Sequence, residues 1–259
     1  MLSEQQIEDF VRDGYAVCRG LIPTRIVDAT LETIWRELEI DPDNADTYPE
    51  KSVIAAHEIN RLMKSCRTAE VEKVAEQLAG PAFQRGGGYS PVINFPREGA
   101  AAFEPLEFHI DGIDVTTLWP NGRILILLAY LTDTTEYGGC TAVRPGSHRV
   151  MFEHWVTTNS SPGGSTSVPD LNYADPTPVT ANAGDVILFH YLLAHASSHN
   201  RDGHPRVALN GVICPVAGHV YAPRLGEPTD QWTAIDRTLR TDILGVTSSN
   251  QLPKDEQEP

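Results

Sequence analysis

Hydrophobic residues recur every three or four positions along the first 80 residues, which is the spacing of amphipathic helices. The first run starts after Ser3, a residue type that caps helices, and stops at Asp13-Gly14. The last run stops at Gly80-Pro81. The pattern predicts these elements in order: a helix up to Asp13, a strand over Tyr15–Gly20, a helix over Thr24–Leu38, a loop over Asp41–Glu50 and a helix within residues 57–79.

From residue 86 onward the pattern changes to short apolar runs separated by turn residues, beginning with Gly86-Gly87-Gly88. Several of these runs have the length and composition of β-strands. They are Tyr89–Phe95, Leu106–Ile110, Ile124–Leu131, Cys140–Val143, Val186–Leu193 and Val207–Val212. Helices followed by many short strands predict a mainly β fold with flanking helices: a double-stranded β-helix (a cupin-like jelly roll) with the N-terminal helices packed outside.

The length of the chain, 259 residues, suits one large β domain. We predict a single domain over residues 1–247, helical up to residue 80, with a jelly-roll body from about residue 86 to about residue 225. Residues 248–259 are polar and acidic, and we expect them to form a flexible tail.

Charge narrows the range of partners. The chain has 35 acidic and 20 basic residues, which gives a formal net charge of −15. Nucleic-acid backbones and anionic membrane surfaces both attract clustered lysine and arginine. The balance therefore argues against nucleic acid and against a membrane as partners, and we expect a small-molecule substrate.

The four cysteines are widely scattered and form no CxxC pair. Such spacing is typical of reduced thiols rather than of a disulfide framework. The N-terminal residues lack the basic start and the apolar core of a signal peptide, and no apolar run approaches the roughly 18 residues of a membrane span. These features predict a cytoplasmic protein.

An H-x-D motif, His109 and Asp111, lies within one of the predicted strands. Residues two positions apart on a strand lie on the same face, so both side chains are expected to point into the barrel. A second histidine from a distant strand would complete the two-histidine, one-carboxylate set that binds non-haem iron and leaves three coordination positions open. By itself the motif also fits a hydrogen-bonded surface pair.

A candidate second histidine and a candidate anion-binding residue follow near the end of the β-rich region. His195 ends an apolar run, and Arg206 begins the next strand, where it shares a face with Asn210. If that face lines the barrel, the buried guanidinium requires an anionic partner. The distal carboxylate of 2-oxoglutarate suits it, because arginine binds carboxylates through a two-pronged contact. The alternative is a strand-end arginine paired with a surface acid. Position relative to Arg206 favours His195 over His190 and His199 as the ligand.

Three segments occur in an order that is more specific than any single motif. They are EQQIEDFVRDGYAVCRGLIP, ending at Pro23; YGGCTAVRPGSHR, which contains His148; and GDVILFHYLLAHASSHNRDGHPRVALN, which contains His195 and Arg206. On these segments the chain resembles the phytanoyl-CoA dioxygenase (PhyH-like) family of Fe(II)/2-oxoglutarate-dependent oxygenases over most of its length.

The resemblance implies roles residue by residue. His109, Asp111 and His195 match the iron ligands of the family and are thus the implied catalytic centre. Arg206 matches the residue that binds the distal carboxylate of 2-oxoglutarate, and Ser197 matches a hydroxyl that hydrogen-bonds the same carboxylate. The implied cofactors are Fe(II), 2-oxoglutarate as co-substrate, and O2.

Two further positions resemble family residues near the co-substrate. Asn94 resembles an amide near 2-oxoglutarate, and Tyr130 lies where some members place an aromatic side chain over it. The family usually has glycine after the second histidine, whereas this chain has Ala196. This departure is small and leaves the assignment of the ligands unchanged.

The implied activity is hydroxylation, or another oxidation, of a C–H bond in a small metabolite or natural-product intermediate, with release of succinate and CO2. Two alternatives stay open at this point. One is a zinc hydrolase that uses the same three ligands. The other is a non-catalytic jelly-roll protein that binds a ligand and has kept the fold without the chemistry.

Overall fold

The structure is a computed structural model that describes residues 1–49, 63–81, 83–111, 125–158, 160, 166–214, 216 and 234–238. The helices in these ranges are α1 (Glu4–Asp13), α2 (Thr24–Leu38), α3 (Ala69–Ala79), α4 (Ser147–Thr157) and α5 (Ala234–Thr238). The strands are β1 (Tyr15–Cys18), β2 (Tyr89–Asn94), β3 (Leu125–Tyr130), β4 (Thr141–Val143), β5 (Thr177–Val179), β6 (Val186–His190), β7 (His195–Ser197) and β8 (Arg206–Ile213). The predicted tail, residues 248–259, lies outside the described residues.

The strands form two antiparallel sheets. The larger has the order β1-β6-β3-β8-β2, and the smaller has the order β5-β4-β7. One buried hydrophobic cluster contains residues of both sheets, among them Leu128 of β3, Ala208 of β8, Val143 of β4 and Val179 of β5. The two sheets therefore face each other across a shared core. This is the double-stranded β-helix that the sequence predicts, and the prediction is confirmed.

Helices α1, α2, α3 and α5 pack on the outer face of the larger sheet, whereas α4 contributes to a separate buried cluster. Val207 and Leu209 of β8 share a buried cluster with residues of α1, α2 and α3, whereas Ala208 between them belongs to the cluster between the sheets. This alternation follows from the two-residue period of a strand. It places Arg206 and Asn210, which have the parity of Ala208, on the inner face of the barrel.

The end of α1 is fixed against the barrel. Ser3 and Gln6 form a reciprocal capping box at its start, and Gly14 ends it with a φ of 86°, a conformation that favours glycine. The Gly14 carbonyl accepts a hydrogen bond of 2.8 Å from the His190 N–H. A Cβ atom on Gly14 would lie 2.5 Å from His148 Nδ1, so no larger residue fits at this position.

The third predicted helix is interrupted. Part of its range lies outside the described residues, and a 3₁₀ turn over Lys64–Cys66 precedes α3. Thr68 explains the interruption, because its hydroxyl accepts from the Val71 N–H and donates to the Leu21 carbonyl. It thus caps a new helix and ties it to the loop before α2. The prediction of one helix within 57–79 is wrong in this respect.

Some elements have no counterpart among those that the pattern predicts. They are β5, β7, α4 and α5.

No helix in the part of the chain that the structure describes is long and apolar enough to span a membrane. None of the four cysteines forms a disulfide.

A buried ion pair joins α3 to the larger sheet. The Arg67 side chain is 1 % exposed, and its Nε lies 2.6 Å from Glu72 Oε1. Arg67 also donates to the Val212 carbonyl of β8 at 3.0 Å, while Glu72 accepts from the Gly86 N–H at 3.0 Å. Each charge is therefore compensated, and the pair connects three parts of the fold.

We expect Glu72→Met to lower the free energy of unfolding by about 3–5 kcal/mol, because it leaves a buried guanidinium without its carboxylate. The double variant Arg67→Met/Glu72→Met is expected to lose less, since it removes both charges. Urea unfolding measures both effects. The matched control is Glu70→Met, which breaks an exposed pair with Lys73 and should change stability by no more than about 1 kcal/mol. Similar losses in Glu72→Met and Glu70→Met would contradict the prediction.

Two histidines are buried side by side where α1 meets the barrel. The ring centroids of His148 and His190 lie 5.0 Å apart. Burial lowers the pKa of His148 to about 3, and the positive charge of Arg149 acts in the same direction. Burial likewise holds the pKa of His190 well below its ordinary value. Both imidazoles are thus neutral in the folded chain.

The unfolded chain protonates these imidazoles below about pH 6.5, so acid favours unfolding. The stability associated with these neutral imidazoles is complete above about pH 6.5 and is lost progressively as the pH falls, and for His148 the loss continues down to its folded-state pKa of about 3. His148→Gln is expected to reduce the pH dependence of the unfolding free energy by about 1.4 kcal/mol per pH unit in this window. Urea unfolding of metal-free protein at several pH values measures the slope. The control is the exposed His204→Gln, which should keep the wild-type slope.

Candidate metal centre

His109 lies on an extended segment that pairs with β7 through a bulge. Pro105 pairs with Ser198 and His109 pairs with His195, so four residue steps on one side match three on the other. An extra residue of this kind is a β-bulge, and bulges reorient side chains near functional sites. The regular strand predicted over Leu106–Ile110 is therefore wrong, because this segment forms isolated pairs interrupted by the bulge.

The bulged segment brings three candidate ligands together. Ligand atoms of His109, Asp111 and His195 all lie within 4.8 Å of one another. Asp111 Oδ1 is 3.6 Å from His109 Nε2 and 3.8 Å from His195 Nε2. Adjacent ligands of a six-coordinate ion at bond lengths of about 2.1 Å are separated by about 3 Å. A bound ion would thus draw the three ligand atoms closer together, and the donor set of two imidazoles and one carboxylate fits Fe(II).

The structure prepares His195 for metal binding. Its Nδ1 lies 2.9 Å from the Leu193 carbonyl, to which it donates in the neutral tautomer, and this leaves Nε2 directed at Asp111. Burial lowers the pKa of His195, and the nearby carboxylate of Asp111 only partly opposes this effect. A neutral imidazole is the form that binds a metal. The His109 side chain differs, since it is 41 % exposed.

Arg206 is buried in the same barrel, and its charge has no counter-ion among the described residues. The residue is 2 % exposed, and burial lowers its pKa. Its guanidinium donates to the Gly139 carbonyl at 3.0 Å, to the Val92 carbonyl at 3.3 Å and to Ser197 Oγ at 2.8 Å. No carboxylate among the described residues forms an ion pair with it. A buried guanidinium held by neutral acceptors is suited to bind an anionic ligand.

The other predicted site residues surround Arg206. Ser197 contacts it directly, as the hydrogen bond above shows. Asn94 lies opposite Arg206 in the pairing of β2 with β8, and its amide donates to the Ser198 carbonyl at 2.8 Å. Tyr130 is fully buried, its hydroxyl lies 2.7 Å from Thr141 Oγ1, and its pKa is raised by burial although the charge of Arg206 opposes the shift. The structure thus brings all of them to one region of the barrel interior.

The competing histidines lie elsewhere. His190 stacks on Tyr191 and neighbours His148, and neither histidine belongs to the cluster of candidate metal ligands in the described part of the chain. His199 is also outside that cluster, and its N–H donates to the Glu104 carbonyl. The choice of His195 over His190 and His199 therefore agrees with the geometry.

Sequence reasoning missed two contributors to the site. Gly139 presents its carbonyl to Arg206 and has a φ of 72°; a Cβ there would lie 2.5 Å from the Asn94 amide nitrogen. Asn210 donates from its amide to Asp111 Oδ2 at 3.3 Å. Asn210 carried a usable signal, because its position four residues after Arg206 places it on the same strand face.

A separate cavity of about 430 Å³ lies beside the ligand-bearing segment. Phe108, Arg144 and the Ser167–Tyr173 loop line it, and the Arg144 guanidinium lies 4.7 Å from the centre of the Phe108 ring. None of the three candidate metal ligands contributes to its wall. The cavity is therefore distinct from the metal centre.

Two histidines and one aspartate that converge inside a double-stranded β-helix are the ligand arrangement typical of mononuclear non-haem metalloenzymes. Residues 10–208 match the family described as phytanoyl-CoA dioxygenase (PhyH), and the chain belongs to this family. It is accordingly an Fe(II)- and 2-oxoglutarate-dependent oxygenase by class, with O2 as the second co-substrate. The family resemblance seen in the sequence is confirmed.

Solved structures show the same fold. EctD from S. alaskensis, with 2-oxoglutarate and 5-hydroxyectoine, is 22 % identical over 91 % of this chain and 86 % of its own, with a TM-score of 0.60. The epimerase SnoN from nogalamycin biosynthesis is 18 % identical over 87 % of this chain and 94 % of its own, with a TM-score of 0.59. HygX from Streptomyces hygroscopicus, with nickel and 2-oxoglutarate bound, is 15 % identical over 86 % and 90 %, with a TM-score of 0.57. The comparison with curated proteins found no match.

We expect Arg206→Met to change the stability of the ligand-free protein little but to remove its stabilisation by 2-oxoglutarate. The loss of three hydrogen bonds lowers stability, whereas the removal of a buried charge raises it. The free energy of unfolding without ligand should therefore change by less than about 2 kcal/mol. With Ni(II) and 2-oxoglutarate at about 100 times its dissociation constant, the wild type should gain about 2.7 kcal/mol from the ligand, and the variant none. Urea unfolding with and without 2-oxoglutarate is the measurement. Exposed Arg36→Met on α2 is the control, and equal gains in all three proteins would refute the role of Arg206.

Proposed function

We propose that His109, Asp111 and His195 bind the catalytic Fe(II), and that Arg206, oriented by Ser197, binds the distal carboxylate of 2-oxoglutarate. The single observation that carries this proposal is the coexistence, inside one barrel, of a His-Asp-His cluster and a buried guanidinium with no carboxylate partner among the described residues. A metal site alone does not require the arginine. A dicarboxylate that binds both explains why the charge is buried there.

The residues of the chain would prepare the reaction by position and by exclusion of water. Arg206 fixes one end of the co-substrate before chemistry begins, which removes rotational freedom from the reacting complex. Tyr130 and Asn94 enclose that end of the barrel, and the fully buried Tyr130 together with the half-buried Asn94 limits the access of water to the guanidinium. The exposed side of His109 leaves the metal centre open toward a substrate. Iron bound at these residues would supply the activation of O2 that is coupled to conversion of 2-oxoglutarate into succinate and CO2.

The proposed reaction is hydroxylation, or another oxidation, of a C–H bond in a small metabolite or natural-product intermediate. The structural neighbours support this class: one is in complex with 5-hydroxyectoine, and another is an epimerase of nogalamycin biosynthesis. The neighbours also include an epimerase and a carbocyclase, so one fold serves more than one reaction outcome. The proposal therefore specifies the class of substrate, a small molecule with an oxidisable C–H bond, and does not specify a single reaction outcome.

The two alternative functions fit the site less well. A zinc hydrolase would use the same three ligands but has no role for Arg206. A non-catalytic binding protein has no need for a neutral, oriented imidazole beside a carboxylate. Both alternatives predict that 2-oxoglutarate is not consumed.

The proposal extends to the domain and its location. The family match over residues 10–208 and the ion pair between Arg237 of α5 and Glu8 of α1 support one oxygenase domain over residues 1–247. The absence of disulfides supports a cytoplasmic location, because reduced cysteines are typical of that compartment.

Asp111→Ala is expected to weaken Fe(II) binding by at least about 100-fold and to abolish succinate formation, because even residues outside the ligand set change metal affinity by about 10–100-fold. Metal analysis after anaerobic dialysis and a succinate assay measure the two effects. The control is Asp28→Ala, an exposed position on α2. It should retain wild-type iron and wild-type turnover.

The same experiment separates the alternatives. Wild-type protein that consumes O2 and 2-oxoglutarate when supplied with Fe(II) supports the oxygenase. Unchanged turnover in Asp111→Ala would overturn the ligand assignment. Hydrolytic activity restored by Zn(II), without consumption of 2-oxoglutarate, would favour the hydrolase instead.

A further inference from the structure

The two oxygens of the Asp111 carboxylate have different surroundings. Oδ1 faces the imidazole nitrogens of His109 and His195 at 3.6 Å and 3.8 Å. Oδ2 accepts a hydrogen bond of 3.3 Å from the side-chain amide of Asn210. The carboxylate is buried, so a fixed donor there determines its rotation.

Asn210 is itself held in a rigid place. It lies within β8, which is hydrogen-bonded on both sides, and it pairs with Ser90 of β2 and with Leu128 of β3. Asp111, in contrast, ends the bulged segment outside any regular strand. The hydrogen bond from this amide therefore restrains Asp111, whose own backbone is irregular, against the rigid larger sheet.

From this arrangement we infer that Asn210 is a positioning residue for the metal centre. Its amide holds Oδ2, so that Asp111 offers a single oxygen to the ion and does not chelate it through both. The inference rests on the proposed ligand set of His109, Asp111 and His195. It adds that the number of open coordination positions depends on a neutral side chain that does not touch the metal.

The same strand then serves both ends of the co-substrate site. Arg206 and Asn210 are four residues apart on β8, which corresponds to about 13 Å along a strand. One side chain binds the far carboxylate and the other orients the metal ligand. A shift of β8 would therefore disturb both functions together.

Asn210→Leu tests the inference, because leucine has the same shape but no donor. We expect the affinity for Co(II), measured by competition with a chelator, to fall by about 10–100-fold. The visible absorption of bound Co(II) should also change, since a second carboxylate oxygen can then reach the ion. Unfolding in the absence of metal should remain cooperative. The matched control is Ser90→Ala, which alters the exposed partner of Asn210 across β2 and should leave Co(II) binding unchanged.

The outcomes distinguish this inference from the proposed function. Wild-type Co(II) affinity and an unchanged spectrum in Asn210→Leu would overturn the role of Asn210 while leaving the ligand set intact. Equal Co(II) affinity in wild type and Asp111→Ala would overturn the ligand set itself. If Asn210→Leu does not fold, Asn210→Ala replaces it, because that change only removes atoms, and the same criteria apply.

Discussion

The buried charge of Arg206 is the constraint on which the site depends. A guanidinium at 2 % exposure that is met only by two carbonyls and a hydroxyl has lost its hydration without gaining a counter-ion in the described structure. Such a group persists only where the surrounding fold is strong enough to hold it. Here the surrounding fold is an interior strand of a five-stranded sheet, with an inter-sheet core on one face and helices on the other. The apolar packing therefore maintains a binding group that lowers stability on its own account.

The register of β8 determines which of its side chains face the site. Residues 206, 208 and 210 face the barrel, while Val207 and Leu209 pack against the helices. A slip of one residue would exchange the two faces and place the polar side chains of Arg206 and Asn210 in the apolar layer beneath the helices, which fixes the register firmly. The packing of the helices thus determines where Arg206 and Asn210 point, although no helix contributes a ligand.

The sequence predicts those parts of the fold that obey a simple period. The helix start after the capping Ser3, the helix over Thr24–Leu38 and the strand that contains Leu209 follow from spacing and turn residues. Strands β5 and β7 have three residues each, too few for an alternation to show. The bulge between Pro105 and His109 was missed for a different reason, since it depends on pairing with β7 and leaves no local signal.

The site residues divide in the same way. His109, Asp111, His195 and Arg206 could be proposed from the sequence because their side chains suit metal and anion binding and because they match the segments of the family. Gly139 was missed because its contribution is a backbone carbonyl and a left-handed φ of 72° that only the folded barrel explains. The role of Asn210 was missed because an asparagine in a sequence does not indicate a particular role. Its partner, the Asp111 carboxylate, becomes apparent only in the folded structure.

The three candidate ligands are held with unequal firmness, and this has a consequence for metal binding. His195 is oriented by the Leu193 carbonyl and Asp111 by the Asn210 amide. The ring of His109 has no such hydrogen bond among the described residues, and its side chain is 41 % exposed. Two ligands are therefore preorganised, and the third is ordered mainly by its backbone pairing with His195 and Ser167. The ion itself would complete the orientation of His109, so part of the free energy of metal binding is spent on ordering the most exposed side of the site.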